Sequence, residues 1–122
     1  MKLLLTEKDP LVRRWLGVRA EELGIQLRFA LSGKELMEAV GGPDSPDCVV
    51  MDASTGAGSE GPLWCRLRET SNVPILVYSS SNKWQTVAEQ AGASVDGFIP
   101  RPFTAETMVC AARQAASRRA LT

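Results

Sequence analysis

Pro46-Asp47-Cys48-Val49-Val50-Met51-Asp52 sets four consecutive apolar residues between two aspartates. A strand with one wet face alternates apolar and polar residues; a short unbroken run belongs to a strand covered on both faces. This one stops on Asp52, so it delivers a carboxylate to its C-terminal end. Outward in both directions the same type of run recurs: Leu3-Leu4-Leu5-Thr6 before it, Ile75-Leu76-Val77-Tyr78 and the short Phe98-Ile99 after it. Ile25, Leu27 and Phe29 instead alternate with Gln26 and Arg28, as at a sheet edge.

Helical patterns separate these runs. Asp9-Pro10 has the form of an N-cap followed by a first-turn proline. Val12, Trp15, Leu16, Arg19, Ala20 and Leu23 then follow at helical spacing, up to the stop at Gly24. Ser32-Gly33-Lys34-Glu35 has capping-box form and precedes the apolar Leu36, Met37 and Val40. A short helix is predicted from Pro62 through Arg68, and a fourth around Trp84, Val87, Ala88 and Ala91. The last is capped by Thr104 and carries Met108, Val109, Ala112 and Ala116. Five such alternations predict a single α/β domain over residues 1–122, a doubly wound parallel (βα)5 sandwich. In such sheets function gathers beyond the carboxyl ends of the strands. That rule selects Glu7, Lys8, Asp9, Asp52, Ser79 and Arg101 from distant parts of the chain.

Composition narrows the chemistry. The chain has 122 residues, 14 basic against 14 acidic side chains, and no histidine. Balanced charge lacks the basic footprint of a general nucleic-acid binder. Without histidine there is no Ser–His or Cys–His nucleophile, no His-ligated metal and no phosphohistidine donor. The three cysteines, Cys48, Cys65 and Cys110, form no C-x-x-C and read as free thiols packed as small hydrophobes in a reducing compartment. No apolar run approaches the ~18 residues of a membrane span, and the expected setting is the cytoplasm without membrane contact.

Four motifs in order resemble the receiver domain of bacterial response regulators, over nearly the whole chain. They are Leu5-Thr6-Glu7-Lys8-Asp9-Pro10, Pro46 through Asp52, Pro74-Ile75-Leu76-Val77-Tyr78-Ser79, and Arg101-Pro102-Phe103 preceded by Ala91-Gly92-Ala93. The resemblance implies a flavodoxin-like sheet of order 2-1-3-4-5. It implies a two-component phosphorelay in which Asp52 takes a phosphoryl group from a histidine kinase or phosphotransfer protein. Ser79 and Arg101 would then hold the phosphoryl group, with small Ser80 leaving the approach open. Phe98 would be the aromatic switch that moves with Ser79, and the Arg101-Pro102 bond would be cis. An effector protein or output domain would read the state, and a homodimer would form through the fourth helix, fifth strand and fifth helix. The activity implied is at most self-phosphorylation and dephosphorylation of Asp52, not that of a conventional enzyme.

The pattern departs from the family at the metal. Receivers hold Mg2+ with two first-loop acids and the acceptor aspartate, which here gives Glu7, Asp52 and the Ser54 carbonyl, with Lys8 in the place of an acid. Glu7, Asp52, Lys8 and Arg101 balance to zero charge without an ion. An ammonium ~6 Å from a divalent cation repels it by roughly 5 kcal/mol at an effective dielectric of ~20. The expectation is a weak or absent Mg2+ site, with Lys8 either substituting for the metal at the phosphoryl group or pairing with Asp52. In the second case the domain would be a phosphorylation-independent interaction module. The loop after Asp52 lacks the family's usual proline and reads as one residue longer, the segment 94–97 is also long, and Pro100 suits an edge strand.

Two rivals are weaker. Gly56-Ala57-Gly58-Ser59-Glu60-Gly61 matches G-x-G-x-x-G, the signature of a nucleotide-binding α/β protein. It follows the third strand rather than the first, and serines stand where the ribose-binding acid belongs. Arg113, Arg118 and Arg119 read as a solvated helix face with C-terminal charges complementing the dipole, not as a direct nucleic-acid contact.

Overall fold

The computed structural model describes residues 1–55, 63–79, 86, 95–99 and 103–120. Its strands are β1 (Lys2–Thr6), β2 (Gln26–Ala30), β3 (Cys48–Asp52), β4 (Ile75–Tyr78) and β5 (Gly97–Ile99). All pair parallel, in the order β2-β1-β3-β4-β5. The described helices are α1 (Pro10–Glu22), α2 (Gly33–Gly41), α3 (Leu63–Thr70) and a C-terminal α4 (Ala105–Ala120). The expected doubly wound sheet is therefore present. The predicted helix around Trp84, the glycine motif at 56–61, Pro62, Ser80, Ala91-Gly92-Ala93, Pro100, Arg101 and the Arg101-Pro102 bond lie outside the described residues.

Two apolar layers flank the sheet. Leu3, Leu5, Val50, Leu76 and Tyr78 face Leu16 and Ala20 of α1 and Met108, Val109 and Ala112 of α4. Leu4, Val49, Met51, Ile75 and Val77 face Leu36 and Val40 of α2 and Leu63 and Leu67 of α3. Because both sides of β1, β3 and β4 are covered, those strands are apolar without alternation. Edge strand β2 does alternate, with Gln26 and Arg28 exposed.

The helix ends follow their sequence signals. The Asp9 carboxylate accepts from the Leu11 N–H (2.9 Å), with Pro10 in the first turn. Gly24 takes φ +75°, and the N–H groups of Ile25 and Gly24 donate to the carbonyls of Ala20 (2.9 Å) and Glu21 (3.0 Å). That is a Schellman end, where the left-handed residue favours glycine. Ser32 caps α2 by accepting from the Glu35 N–H (3.2 Å), but Glu35 reaches back to the N–H of Leu31 (2.7 Å) rather than to that of Ser32. The Thr104 hydroxyl accepts from the Thr107 N–H (3.1 Å) at the start of α4.

Three expectations need correction. The residues read at helical spacing along α1 do not all face the core: Trp15 is 56% exposed, while Leu16 and Ala20 are buried. Only Cys48 among the thiols is packed away; Cys65 and Cys110 are exposed. Arg118 and Arg119 are not a free solvated cluster. Arg119 pairs with Asp96 (2.6 Å) and Arg118 donates to the Asp96 carbonyl (3.1 Å). The Asp96 carboxylate, with its side chain only 10% exposed, also pairs with Arg68 (2.9 Å) and accepts the Ile75 N–H (2.7 Å). One acid thus ties the ends of α3 and α4 to the start of β4.

Asp96→Ala removes this shared acceptor and should cost about 3 kcal/mol in urea unfolding. Burial, aided by the charges of Asp96 and Asp47, pushes the Cys48 thiol up from 9.0 to about 12. The unfolded chain therefore ionises first, so stability is full below about pH 9 and falls as pH rises toward 12. Cys48→Ala should flatten that alkaline slope in pH-dependent melts. In the native protein a thiol reagent should titrate Cys65 and Cys110, and Cys48 only on unfolding.

Candidate functional site

Thr6, Asp52 and Tyr78 are the last residues of β1, β3 and β4, and Asp52 is the register partner of Tyr78. Backbone pairing of β1 with β3 runs from Leu3↔Cys48 to Leu5↔Val50. Past that point side chains continue the join. The Asp52 N–H donates to the Thr6 hydroxyl (2.8 Å), and the Tyr78 hydroxyl donates to the Thr6 carbonyl. On the other flank the Ala53 N–H donates to the Tyr78 carbonyl (2.8 Å). Tyr78 is itself buried and packed against Phe103, ring centroids 5.3 Å apart.

The Asp52 side chain is half-buried and asymmetric. Its Oδ1 accepts from both the N–H (2.8 Å) and the hydroxyl (2.7 Å) of Ser54, an Asx turn. Its Oδ2 has no hydrogen bond among the described residues. Thr55 N–H donates to the Asp52 carbonyl (2.9 Å) and closes the turn.

In the β1–α1 loop, Glu7 Oε1 accepts from the Asp9 N–H (3.1 Å), and the Asp9 carboxylate is occupied by the helix cap. Lys8 is exposed and makes no ion pair with Asp52 or any other described acid within 4.0 Å. Among the described residues, no three acidic, Cys or His side chains come together as a metal-holding group.

A cavity of about 430 Å³ gathers these pieces. Glu7, Lys8, Asp52 and Ser54 line it together with Leu31, Ser32 and Gly33, at the start of α2. Four of the residues singled out from the sequence therefore share one crevice. Ser79 is buried at the end of β4 and Phe98 is half-buried against the α2–α3 layer; neither lines that cavity. Arg101 lies outside the described residues. Sequence reasoning passed over Thr6 and Tyr78 as site residues. A signal existed: each ends its strand with a hydroxyl beside the strand that ends on Asp52.

This chain belongs to the response regulator receiver domain family, whose sequence profile matches residues 3–113. It is thus a receiver domain of the two-component class, and its five-stranded order is that fold's. Among curated relatives, the transcriptional regulatory protein PhoP of Escherichia coli O157:H7 is 31% identical over 120 residues, covering 98% of this chain and 53% of PhoP. The chain spans about half the length of such relatives. Among solved structures, the receiver domain of the Francisella response regulator 1452 superposes with TM-score 0.77 at 21% identity, covering 96% of this chain and 97% of that one. A response regulator receiver domain protein from Clostridium thermocellum gives TM-score 0.79 at 16% identity, covering 98% and 97%. No described helix is long and apolar enough to cross a membrane.

Thr6→Val keeps the shape but removes the acceptor for the Asp52 N–H. It should lower stability by about 1–2 kcal/mol and speed hydrogen exchange at the Asp52 amide. Unchanged exchange at that amide would show that Thr6 does not hold it.

Proposed function

We propose that this receiver takes a phosphoryl group onto Asp52 from the phosphohistidine of a kinase or phosphotransfer protein, without a tightly held Mg2+. The observation that carries the reading is the asymmetry of Asp52, which lines the cavity: one oxygen is fixed by Ser54, and the other is unbonded among the described residues. In the step, Oδ2 attacks phosphorus in line and forms a P–O bond. The P–N bond to the donor histidine breaks, and the ring nitrogen leaves with the electron pair, giving an acyl phosphate on Asp52. Such a transfer is promoted by position and positive charge rather than by further covalent chemistry. Lys8, at the cavity wall, supplies an ammonium; Arg101 supplies a guanidinium by its place in the pattern. Ser79, buried next to Tyr78 of the cavity lining, is the hydroxyl that turns to meet the transferred group, and Phe98, one strand over, responds to it.

The donor set does not suit a tight octahedral ion. Glu7 Oε1, the Asp9 carboxylate and Asp52 Oδ1 are each engaged by an N–H donor, and Lys8 sits between the two loop acids. An exposed ammonium on a flexible stem can turn toward a bound phosphoryl group, which its present lack of an ion pair with Asp52 allows. In this reading the domain works in the cytoplasm, where free thiols stay reduced, and an effector protein or output domain reads its state.

The test is intact mass after treatment with a small phosphodonor, in chelator and in Mg2+, repeated on Asp52→Asn. One phosphoryl group should appear in both conditions on the parent chain and in neither on Asp52→Asn. Modification that requires Mg2+ would overturn the metal-poor mechanism. No modification by phosphodonor or kinase would leave phosphorylation-independent contact as the function. Lys8→Asp should raise Mg2+ affinity by at least about tenfold in calorimetry, because it exchanges a repulsion for an attraction.

A further inference from the structure

We propose that Ser54 is a second phosphoryl acceptor, its hydroxyl attacking phosphorus while the Asp52 carboxylate takes its proton. Thr6, Ser32, Ser54, Thr55 and Tyr78 bring hydroxyls to the cavity lining. Thr6 accepts the Asp52 amide, Ser32 caps α2 by accepting the Glu35 amide, and Tyr78 donates to a backbone carbonyl. Among the described residues only Ser54 of these donates to a carboxylate, from Oγ to Asp52 Oδ1 at 2.7 Å. A hydroxyl within hydrogen-bond reach of an oriented base is the arrangement that activates a serine. The base is oriented here, because the Ser54 N–H holds the same oxygen (2.8 Å) and Thr6 holds the Asp52 amide (2.8 Å). The nucleophile is open: Ser54 is exposed, and its Oγ accepts no hydrogen bond among the described residues. With the proton aimed at Oδ1, the lone pairs of Oγ are left for an electrophile in the cavity.

The step rests on the acyl-phosphate reading in one respect, that a phosphohistidine or a small phosphoramidate reaches the cavity. Ser54 Oγ forms the P–O bond and its proton passes to Asp52 Oδ1. The P–N bond breaks, and its electron pair leaves with the nitrogen. Asp52 then returns its proton to water. An aspartate plays the same part toward substrate hydroxyls in protein kinases. Lys8, which lines the same cavity, offers its ammonium to the phosphoryl oxygens. The two acceptors give products of opposite character. A phosphate on Asp52 is a mixed anhydride that water cleaves, whereas on Ser54 it is an ester that persists. Attack by Oδ2 needs no proton transfer and is the faster, so the ester builds up over repeated cycles of the anhydride. Once formed, its charge of about −2 beside Asp52 repels a further phosphoryl group. Ser54 thereby turns a transient mark into a lasting block of Asp52.

Phosphoramidate in chelator, sampled from minutes to a day and followed by neutral hydroxylamine, separates the two products. Hydroxylamine strips an acyl phosphate and spares a phosphate ester. Intact mass should show a phosphoryl group that resists hydroxylamine and grows with time, and fragmentation should place it on Ser54. Ser54→Ala should lose it, and Ser54→Thr should keep it at the same position. Asp52→Asn should slow it at least about a hundredfold by removing the base. Circular dichroism checks that each variant is folded. Phosphate that is wholly labile to hydroxylamine would overturn this proposal and leave the acyl phosphate on Asp52 standing. A resistant phosphate on Ser54 with no labile one at any time would do the reverse. Resistant phosphate on another residue, or on Ser54 at an undiminished rate in Asp52→Asn, would also overturn it. Phosphate of neither kind would overturn both.

Discussion

The hydrogen bond from the Asp52 amide to the Thr6 hydroxyl decides where the carboxylate stands. After β1 the chain turns toward the layer that holds α1; after β3 it leads to α3 in the opposite layer. Two neighbouring strands whose continuations part in this way open a crevice between their ends. Backbone pairing stops at Leu5↔Val50, so the next contact must come from side chains. Thr6 provides it, and Tyr78 braces Thr6 from β4 through the carbonyl of the same residue. The acid at the mouth of the crevice therefore rests on three strands.

On the proposed reading, the surroundings of that acid let a receiver carry a lysine beside its loop acids and keep its geometry. Asp9 is occupied in capping α1 and Glu7 in holding the Asp9 amide, so the loop acids support the loop itself. Lys8 lies exposed between them on the wall of the cavity that holds Asp52. Changing its charge alters what the crevice attracts without touching the hydrogen bonds that position Asp52. The atoms that make the loop's hydrogen bonds are not the one that carries the Lys8 charge.

The fold was legible because its signals are local. Unbroken apolar runs, the alternation of β2, the Asp9-Pro10 cap and the stop at Gly24 each follow from a few neighbouring residues. The convergence of Glu7, Lys8, Asp52 and Ser54 was legible because strand ends in a parallel sheet share one edge. What escaped depends on partners far apart in the chain. Thr6 meets Tyr78 only after β1 and β4 have been set two places apart in the sheet. Asp96 draws Arg68 and Arg119 together across helices in different layers, although by sequence those arginines look like surface charge. Trp15 falls at helical spacing with Val12 and Arg19, yet α1 is only half covered. Periodicity finds the stripe of a helix but not the width of what packs on it.

Crystals soaked in Mn2+ and measured for anomalous scattering bear most directly on the claim that hydrogen bonds and an ammonium, rather than a divalent ion, organise the crevice. The expected map has no peak beside Asp52, with Ser54 still donating to Oδ1 and Thr6 still accepting the Asp52 amide. A strong peak with octahedral ligands from Asp52 and Glu7, with Ser54 displaced from the carboxylate, would contradict it.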